Sequence, residues 1–394
     1  MKRALAYDDI NIVPKYSEIE HRDKVDISTK FTKKTILDIP LVSSPMDTVT
    51  EVDMAKELMD YGGVGVIHRF NSIEEQSLMM KRLHKDWKRF FDIDKDSPHT
   101  LDDSYTEYIE ENGIPQTDDE KEDLQFYLKV VKDRLNMDER WRKKPLCAAI
   151  GVTGDYLERA EELIKNGCNV LLIDVAHGHH KLVGEAIGKI KTRLSSIEVI
   201  AGSVATGEAC EYLCEKGADA IRIGIGNGSL CETRIRTGVG IPQVTALIDC
   251  VAIADTYGCP TVADGGIRTI GDVCKGLACG ADSVMLGSLL SGTKESPGEI
   301  EKVGKWPNEQ LHKKYRGSAS LDSKKSRGDN KNVEGNHKVI PYKGKVKRIV
   351  KDIQEGINSS FSYVGANNIS EFHSRVELIE VTRAGNIEGE AHLL

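Results

Sequence analysis

The sequence predicts a closed (β/α)8 barrel, and three observations carry that prediction. From residue 145 onward one theme repeats: a short apolar or β-branched run, a Gly, Asp or Ser punctuation, then an amphipathic helical stretch. Continuous apolar runs separated by helices read as parallel strands buried on both faces. Eight such runs occur in 394 residues, which favours a closed barrel over an open doubly wound sheet. Nearly every run also ends in Gly, Ser, Asp or His, as a barrel requires if its strand ends and following loops form the active face.

The runs come in this order. IPLVSSP (39–45) and GVGVIH (63–68) supply the first two strands, and SIEEQSLMMKRLHKDW (72–87) the helix after the second. Residues 88–144 then break the rhythm. They are acidic, then mixed in charge and helical. They read as a small helical insertion between the second and third βα units, leaving the barrel away from the chemistry. Their first half suits a disordered linker nearly as well. LCAAIGV (146–152), NVLLIDVA (169–176), EVIAGS (198–203) and DAIRIGIG (219–226) supply strands three to six, with helices at 154–167 and 207–217. PTVADGG (260–266) and DSVMLGS (282–288) complete the eight. Residues 1–87 and 145–394 are thus the catalytic barrel. Within it, the polar stretch 318–338 reads as a mobile loop and candidate lid, and 380–394 as a C-terminal tail.

Composition narrows the function classes. Charged residues make up 29% and hydrophobic ones 39%, as in a soluble globular protein. A net charge of -8 argues against a general nucleic-acid binder. No apolar stretch approaches the ~18 residues of a membrane span, and the apolar run near the N-terminus is broken at Asp8 and Asp9. A cytoplasmic protein is expected, with its nine cysteines as reduced thiols. Cys210 and Cys214, four apart on an expected helix, read as helix packing and not as metal ligands.

The chemistry-bearing residues cluster at the strand ends. ADGG (263–266) and LGS (286–288) close the seventh and eighth strands, where barrels most often bind phosphate with backbone N–H groups. The plain alternative is that these glycines only permit tight turns. Ser229 and Ser288 can add hydroxyl donors, while Asp264 suits ribose hydroxyls better than phosphate. Cys231 sits in a Gly-rich loop beside Ser229, Glu232, Thr233 and Arg234. It reads as a displayed nucleophile, activated by backbone N–H groups and Arg234, or as a bystander. Asp174 suits a ribose or a cationic ring at the barrel mouth. His177, His179 and His180 suggest a metal only weakly, because no second ligand cluster accompanies them.

YDDINIVP (7–14), SSPMDTVTE (43–51), IDVAHGH (173–179), GIGNGSLCETRIRTGVGIPQ (224–243), ADGGIRTIGDV (263–273), VMLGSLLSGTKESPGE (284–299) and YRG (315–317) together resemble the IMP dehydrogenase/GMP reductase family. The cysteine loop is the most specific of these segments. The resemblance implies a (β/α)8 TIM barrel, usually a homotetramer. In it a cysteine attacks C2 of a purine nucleoside monophosphate, and a nicotinamide cofactor exchanges a hydride with that carbon. It makes Cys231 the nucleophile, Thr233 a proton relay and Glu334 the catalytic acid or base. It assigns Ser44, Met46, Ser229, Asp264, Gly265, Gly266, Gly287, Ser288, Tyr315, Gly317 and Gly335 to the substrate. It assigns Asp174, Val175, Ala176 and Arg222 to the cofactor. It also implies a monovalent cation, expected to be K+, on Gly226, Gly228 and Cys231. A neighbouring subunit's Glu388, Gly389 and Glu390 would complete that site.

The reaction direction divides the family. The resemblance implies either NADPH-dependent reduction of GMP to IMP, or NAD-dependent oxidation of IMP to XMP. The dehydrogenase lid carries an Arg-Tyr pair that activates water. Here Glu334 follows Gly317 by only 17 residues, and the nearest candidate is Arg327 followed by Gly328. That favours the reductase, as do DVA (174–176) and SSFSYVGA (359–366). YRGSASL, GSLLSGTKESPGE and the EGEAH tail look like the dehydrogenase. Residues 88–144 are too few for the paired CBS domain of many dehydrogenases. Asn227, Glu232 and Ser203 depart from the usual proline, Thr or Ile, and asparagine. They leave open a third reading, a non-catalytic purine-nucleotide-binding regulator.

Overall fold

A computed structural model of the chain describes residues 3–91, scattered positions between 105 and 128, 144–304, 308–317 and 335–389. The eight expected strands are present: β1 (Leu41–Ser43), β2 (Val64–Ile67), β3 (Cys147–Ile150), β4 (Val170–Asp174), β5 (Glu198–Val204), β6 (Ala220–Ile223), β7 (Thr261–Asp264) and β8 (Ser283–Leu286). They pair in parallel, in chain order, and β8 closes on β1. Helices follow them: α1 (Val52–Asp60), α2 (Ile73–Phe91), α3 (Tyr156–Lys165), α4 (Lys181–Arg193), α5 (Gly207–Glu215), α6 (Thr233–Thr237), α7 (Gln243–Thr256), α8 (Ile270–Ala278) and α9 (Val346–Val364). Two short helices complete the chain, α10 (Ile369–Arg375) and α11 (Arg383–Glu388).

Strand periodicity divides the core in two. Cys147 and Ala149 of β3 share one buried cluster with Val42, Val64, Val66, Val170, Leu172, Ile200, Ala220, Val262 and Met285. Ala148 and Ile150 belong to a second cluster, with Leu58, Leu163, Ile187, Leu213, Val244 and Leu277 of the helices. The first cluster therefore fills the barrel and the second glues helices to strands. Phe31 and Leu37 join the interior cluster from an antiparallel pair, Thr29–Lys30 with Ile36–Leu37. That hairpin was not legible in the sequence.

Two further additions frame the site. Ile10–Ile12 pairs antiparallel with Leu378–Glu380, so the start of the expected tail is bound to the N-terminal segment. A three-stranded sheet forms from Glu301–Val303, Gln310–Arg316 and His337–Pro341. The end of the expected lid is thus ordered strand, with Arg316 opposite His337 and Tyr315 opposite Lys338. The rest of that lid, 318–334, most of the insertion 88–144 and the last tail residues from Glu390 lie outside the described residues.

The insertion was expected to leave the barrel away from the chemistry. One described residue of it, Glu120, lies close enough to Lys345, at the start of α9, for that cation to favour its carboxylate. The larger influence on Glu120 is hydrogen bonding from the Gln116 and Thr117 N–H groups, and its acidity is strengthened.

Candidate active site

The C-terminal ends of the strands surround a cavity of about 370 Å³, within the range of small-molecule sites. Cys231, Thr233, Ser44, Met46, Ser229, Asp264, Gly265, Tyr315, Gly317, Gly335, Asp174, Val175, Ala176, Arg222, Gly226 and Gly228 all line it. Sequence positions nearly 300 apart thus converge because each follows a barrel strand or the hairpin laid across the barrel mouth.

Cys231 is the one cysteine of nine that is not buried, which answers why a thiol stands among glycines and polar residues. Its Sγ donates to Thr233 Oγ1 at 3.2 Å. Glu232, between them, is engaged by Arg236 four residues on, at 2.6 Å. The far side of the thiol is bounded by the end of the lid segment. Gly335 bridges Cys231 in antiparallel fashion, Asn336 N donates to Leu230 O at 3.1 Å, and Gly317 N donates to Asn336 O at 2.9 Å. Gly317 and Gly335, the described residues on either side of 318–334, are therefore held close to Leu230 and Cys231. Glu334 is outside the described residues, but its chain neighbour Gly335 is in direct register with the thiol residue.

The expected phosphate pocket is partly assembled. Ser229 Oγ and the Tyr315 hydroxyl lie 3.2 Å apart, and burial pushes the Tyr315 phenol up despite that bond. A Cβ on Gly287 would lie 3.3–3.5 Å from Tyr315 Oη, Met46 Sδ and Ser44 Oγ, so a close backbone approach is built in there. Gly265 and Gly266 have φ of 93° and 80°, which favours glycine. Gly266, Gly287 and Ser288 flank the cavity without lining it. The Gly266 N–H, expected to face phosphate, instead donates to Asn227 O at 2.8 Å.

The other half of the cavity is charged. Arg222 points from β6 into the upper barrel, where its Nη1 meets Asp174 at 2.8 Å, and its Nε meets Asp264 at 3.3 Å and Ser203 Oγ at 2.8 Å. Arg69 donates to the Asp174 main-chain O at 3.0 Å and its Nε lies 3.6 Å from the Asp174 carboxylate, so two guanidiniums face two carboxylates. Burial raises the Asp264 pKa; Arg222 opposes that and Asp174 adds to it.

Arg69 and Phe70 line the cavity and escaped the sequence reading. Their signal was their place just after β2, at the active face. Arg69 Nε is buried and makes no hydrogen bond, but it forms an ion pair with Asp174 Oδ2 at 3.6 Å. Lys343, also missed, donates to Ser288 O at 2.6 Å. It places a cation beside the loop after β8.

The cation and histidine expectations fare differently. Gly226 and Gly228 sit in the tight turn before Cys231, where Cys231 N donates to Gly228 O at 3.0 Å. Glu388 and Gly389 of the same chain lie at the end of α11, which packs on Tyr7–Asp9. They are not in the cavity lining of their own chain. His180 Nδ1 accepts from Leu182 N at 3.1 Å, capping α4.

A family profile for the IMP dehydrogenase/GMP reductase domain matches residues 4–392. The chain is 34% identical, over 475 aligned positions, to an inosine-5′-monophosphate dehydrogenase of Nitrosopumilus maritimus; the match covers 99% of this chain and 98% of that one. It is 38% identical over 402 positions to the enzyme of that name from Cryptosporidium parvum, covering 99% and 95%. In structure it is similar to GMP reductase from Trypanosoma brucei in complex with guanosine 5′-monophosphate. The TM-score is 0.84 and the identity 30%, with 100% of this chain and 98% of that one covered. A whole-length family match, relatives above 30% identity and a shared closed barrel make this chain a member of the IMP dehydrogenase/GMP reductase family of oxidoreductases.

Proposed function

We propose that this enzyme reduces guanosine 5′-monophosphate to inosine 5′-monophosphate and ammonia, with NADPH as reductant and a covalent intermediate on Cys231. The observation that carries the reading is the pairing of Gly335 with Cys231, with only 17 residues between Gly317 and Gly335. In sequence Glu334 directly precedes Gly335, and the nearest candidate for a water-activating Arg-Tyr pair in this segment is Arg327 followed by Gly328. A general base must reach the proton it removes. Hydrolysis of the intermediate needs such a base for water, and reduction does not.

The purine nucleotide docks with its phosphate toward Gly265, Gly266, Gly287, Ser288, Ser44, Ser229 and Tyr315. Met46, Gly317 and Gly335 flank the base, and Asp264 holds the ribose. The Cys231 thiolate adds to C2. Thr233 and Glu334 protonate the exocyclic amine as its bond to C2 breaks, and it departs as ammonia. Asp174, Val175, Ala176 and Arg222 would hold a reduced nicotinamide, whose chemistry there would be hydride donation to C2. The C–S bond then breaks and its electron pair returns to Cys231. K+ on the carbonyls of Gly226, Gly228 and Cys231 would fix the loop, and Glu388, Gly389 and Glu390 of a tetramer neighbour would complete that site.

A second reading, oxidation of IMP to XMP with NAD and water, is favoured by the relatives' names. The C. parvum relative carries the dehydrogenase name at nearly this chain's length, so the lack of room for a CBS pair does not weigh against it. Two assays divide the readings by following absorbance of the reduced cofactor. Consumption with GMP and NADPH supports the reductase. Production with IMP and NAD, and none of the former, makes it a dehydrogenase. Silence in both with nucleotide still bound makes it a regulator. Cys231→Ala is expected to abolish turnover, by a factor of about 10⁴ or more, while keeping nucleotide binding. Retained turnover would overturn the covalent mechanism.

A further inference from the structure

Asn227 stands in the cysteine loop, and the reaction just described gives it no task. Its Nδ2 donates to Ile241 O at 3.0 Å and to Gln243 Oε1 at 2.5 Å. Gln243 is buried and its Nε2 donates to Ile223 O at 2.8 Å. The direction of this relay is forced. Both Ile223 O and Ile241 O can only accept, so Gln243 must turn its Nε2 to β6 and its Oε1 to Asn227, and Asn227 must present its amide nitrogen. On the main-chain side, Asn227 O accepts from Gly266 N at 2.8 Å. The two loops are also in contact, for a Cβ on Gly265 would lie 3.1–3.2 Å from Asn227 and Gly228 atoms. One residue therefore joins the end of β6, the entry to α7, the Gly265–Gly266 turn and, four residues on, Cys231.

We infer that Asn227 is a positioning residue that couples occupancy of the phosphate loop at Gly265–Gly266 to the placement of the Cys231 thiol. This rests on the reading of 265–266 as a phosphate site but not on the direction of the reaction. A phosphate drawn to Gly265 and Gly266 pulls on the Gly266 N–H that Asn227 O accepts. The side-chain relay to Gln243 keeps Asn227 from yielding, so the pull is taken up by the loop that carries Cys231. Without the amide donor, Asn227 can move with Gly266 and the thiol no longer responds.

Ribose 5-phosphate is the suitable probe, since it fills the phosphate and ribose positions and leaves Cys231 without a base to react with. The measurement is the rate of Cys231 alkylation by iodoacetamide in the full chain, read on the Cys231 peptide, with and without saturating ribose 5-phosphate. The wild type is expected to slow about fivefold, the lower end of ordinary coupling between sites. Asn227→Asp turns an acceptor toward two acceptors, and Asn227→Ala removes the donor; should the first fail to fold, the second carries the same test. Both are expected to bind ribose 5-phosphate within about threefold of wild type, while the slowing falls below about twofold. Three results would overturn the inference. They are a variant that slows as the wild type does, a wild type that does not slow, and variants that no longer bind the probe. The last would make Asn227 part of the binding surface instead. The readout needs neither cofactor nor turnover, so failure of the reductase assay leaves it standing, and its own failure leaves the reductase reading untouched.

Discussion

At the scale of single residues, the least expected feature is an arginine in the upper layer of the barrel. Arg222 follows Ala220 on the inward face of β6 and is nearly inaccessible. A guanidinium there is tolerable only because Asp174 and Asp264 meet it from β4 and β7 and Ser203 Oγ accepts a hydrogen bond from its Nε. Gly202 makes room, since a Cβ there would lie 2.6 Å from Arg222 Cβ. Ser203, the departure from the usual asparagine, therefore has a bonded role. Arg222→Met keeps most of the volume and leaves the half-buried Asp264 carboxylate without its cation, while Asp174 keeps Arg69. It is expected to lower stability at pH 8 by about 3–5 kcal/mol in urea unfolding. The sign with pH follows from the same charges. Burial already raises the Asp264 carboxyl against the pull of Arg222, and removing that pull raises it further, so the loss is fullest where Asp264 must be ionised and shrinks as falling pH protonates it. An equal loss at pH 8 and pH 4 would mean that packing, not charge, holds Arg222 in place.

At the scale of elements, the same contest between burial and charge marks the junction of α1 with α9. Glu57 of α1 is pushed up to about 7, first by burial and then by Asp60 and Glu295, with Lys347 and Lys345 at the start of α9 opposing. Glu295 is already committed, accepting from Val346 N at 2.8 Å. A carboxyl whose folded pKa exceeds its unfolded one costs stability when ionised. The cost is absent below about pH 4.5, grows as pH rises and is complete above about 7. Glu57→Gln is therefore expected to stabilise the protein by about 1–3 kcal/mol at pH 8 and by little at pH 4.5. Thermal melts of both proteins across that range check it.

The elements also show what a sequence can and cannot reveal. The eight strands were legible because each is an apolar run stopped by Gly, Asp, Ser or His, and burial on both faces demands such runs. The pairs Thr29–Lys30 with Ile36–Leu37 and Ile10–Ile12 with Leu378–Glu380 were not. Two or three residues carry no period, and the second pair joins opposite ends of the chain. Within the site, Cys231, Asp174 and Asp264 were legible from chemistry at strand ends. The ion pairs of Arg222 were not, because its partners lie 48 and 42 residues away in sequence and only barrel closure brings them together.

At the scale of the whole molecule, the question is what residues 88–144 contribute. The N. maritimus relative aligns over 475 positions against the 394 residues of this chain, the C. parvum relative over 402, so family members differ widely in what they add to the barrel. The contacts that fix the barrel on either side of the segment lie outside it. Met80 and Leu83 of α2 are buried, His84 fills the space beside Gly167 where a Cβ would be, and Lys144 forms a largely buried ion pair with Asp38 before β3 begins. No described residue between 105 and 128 lines the cavity around Cys231. Replacing residues 93–142 with a glycine–serine linker of about ten residues is therefore expected to keep the barrel. Each doubling of a flexible loop changes closure cost by only about 0.6 kcal/mol. The melting temperature should move by no more than about 4 °C, and turnover by no more than about threefold. Loss of turnover with the melting temperature intact would show that the segment serves the site directly. Glu120 near Lys345 marks where that service would begin, because α9 starts beside Glu295 and the loop after β8.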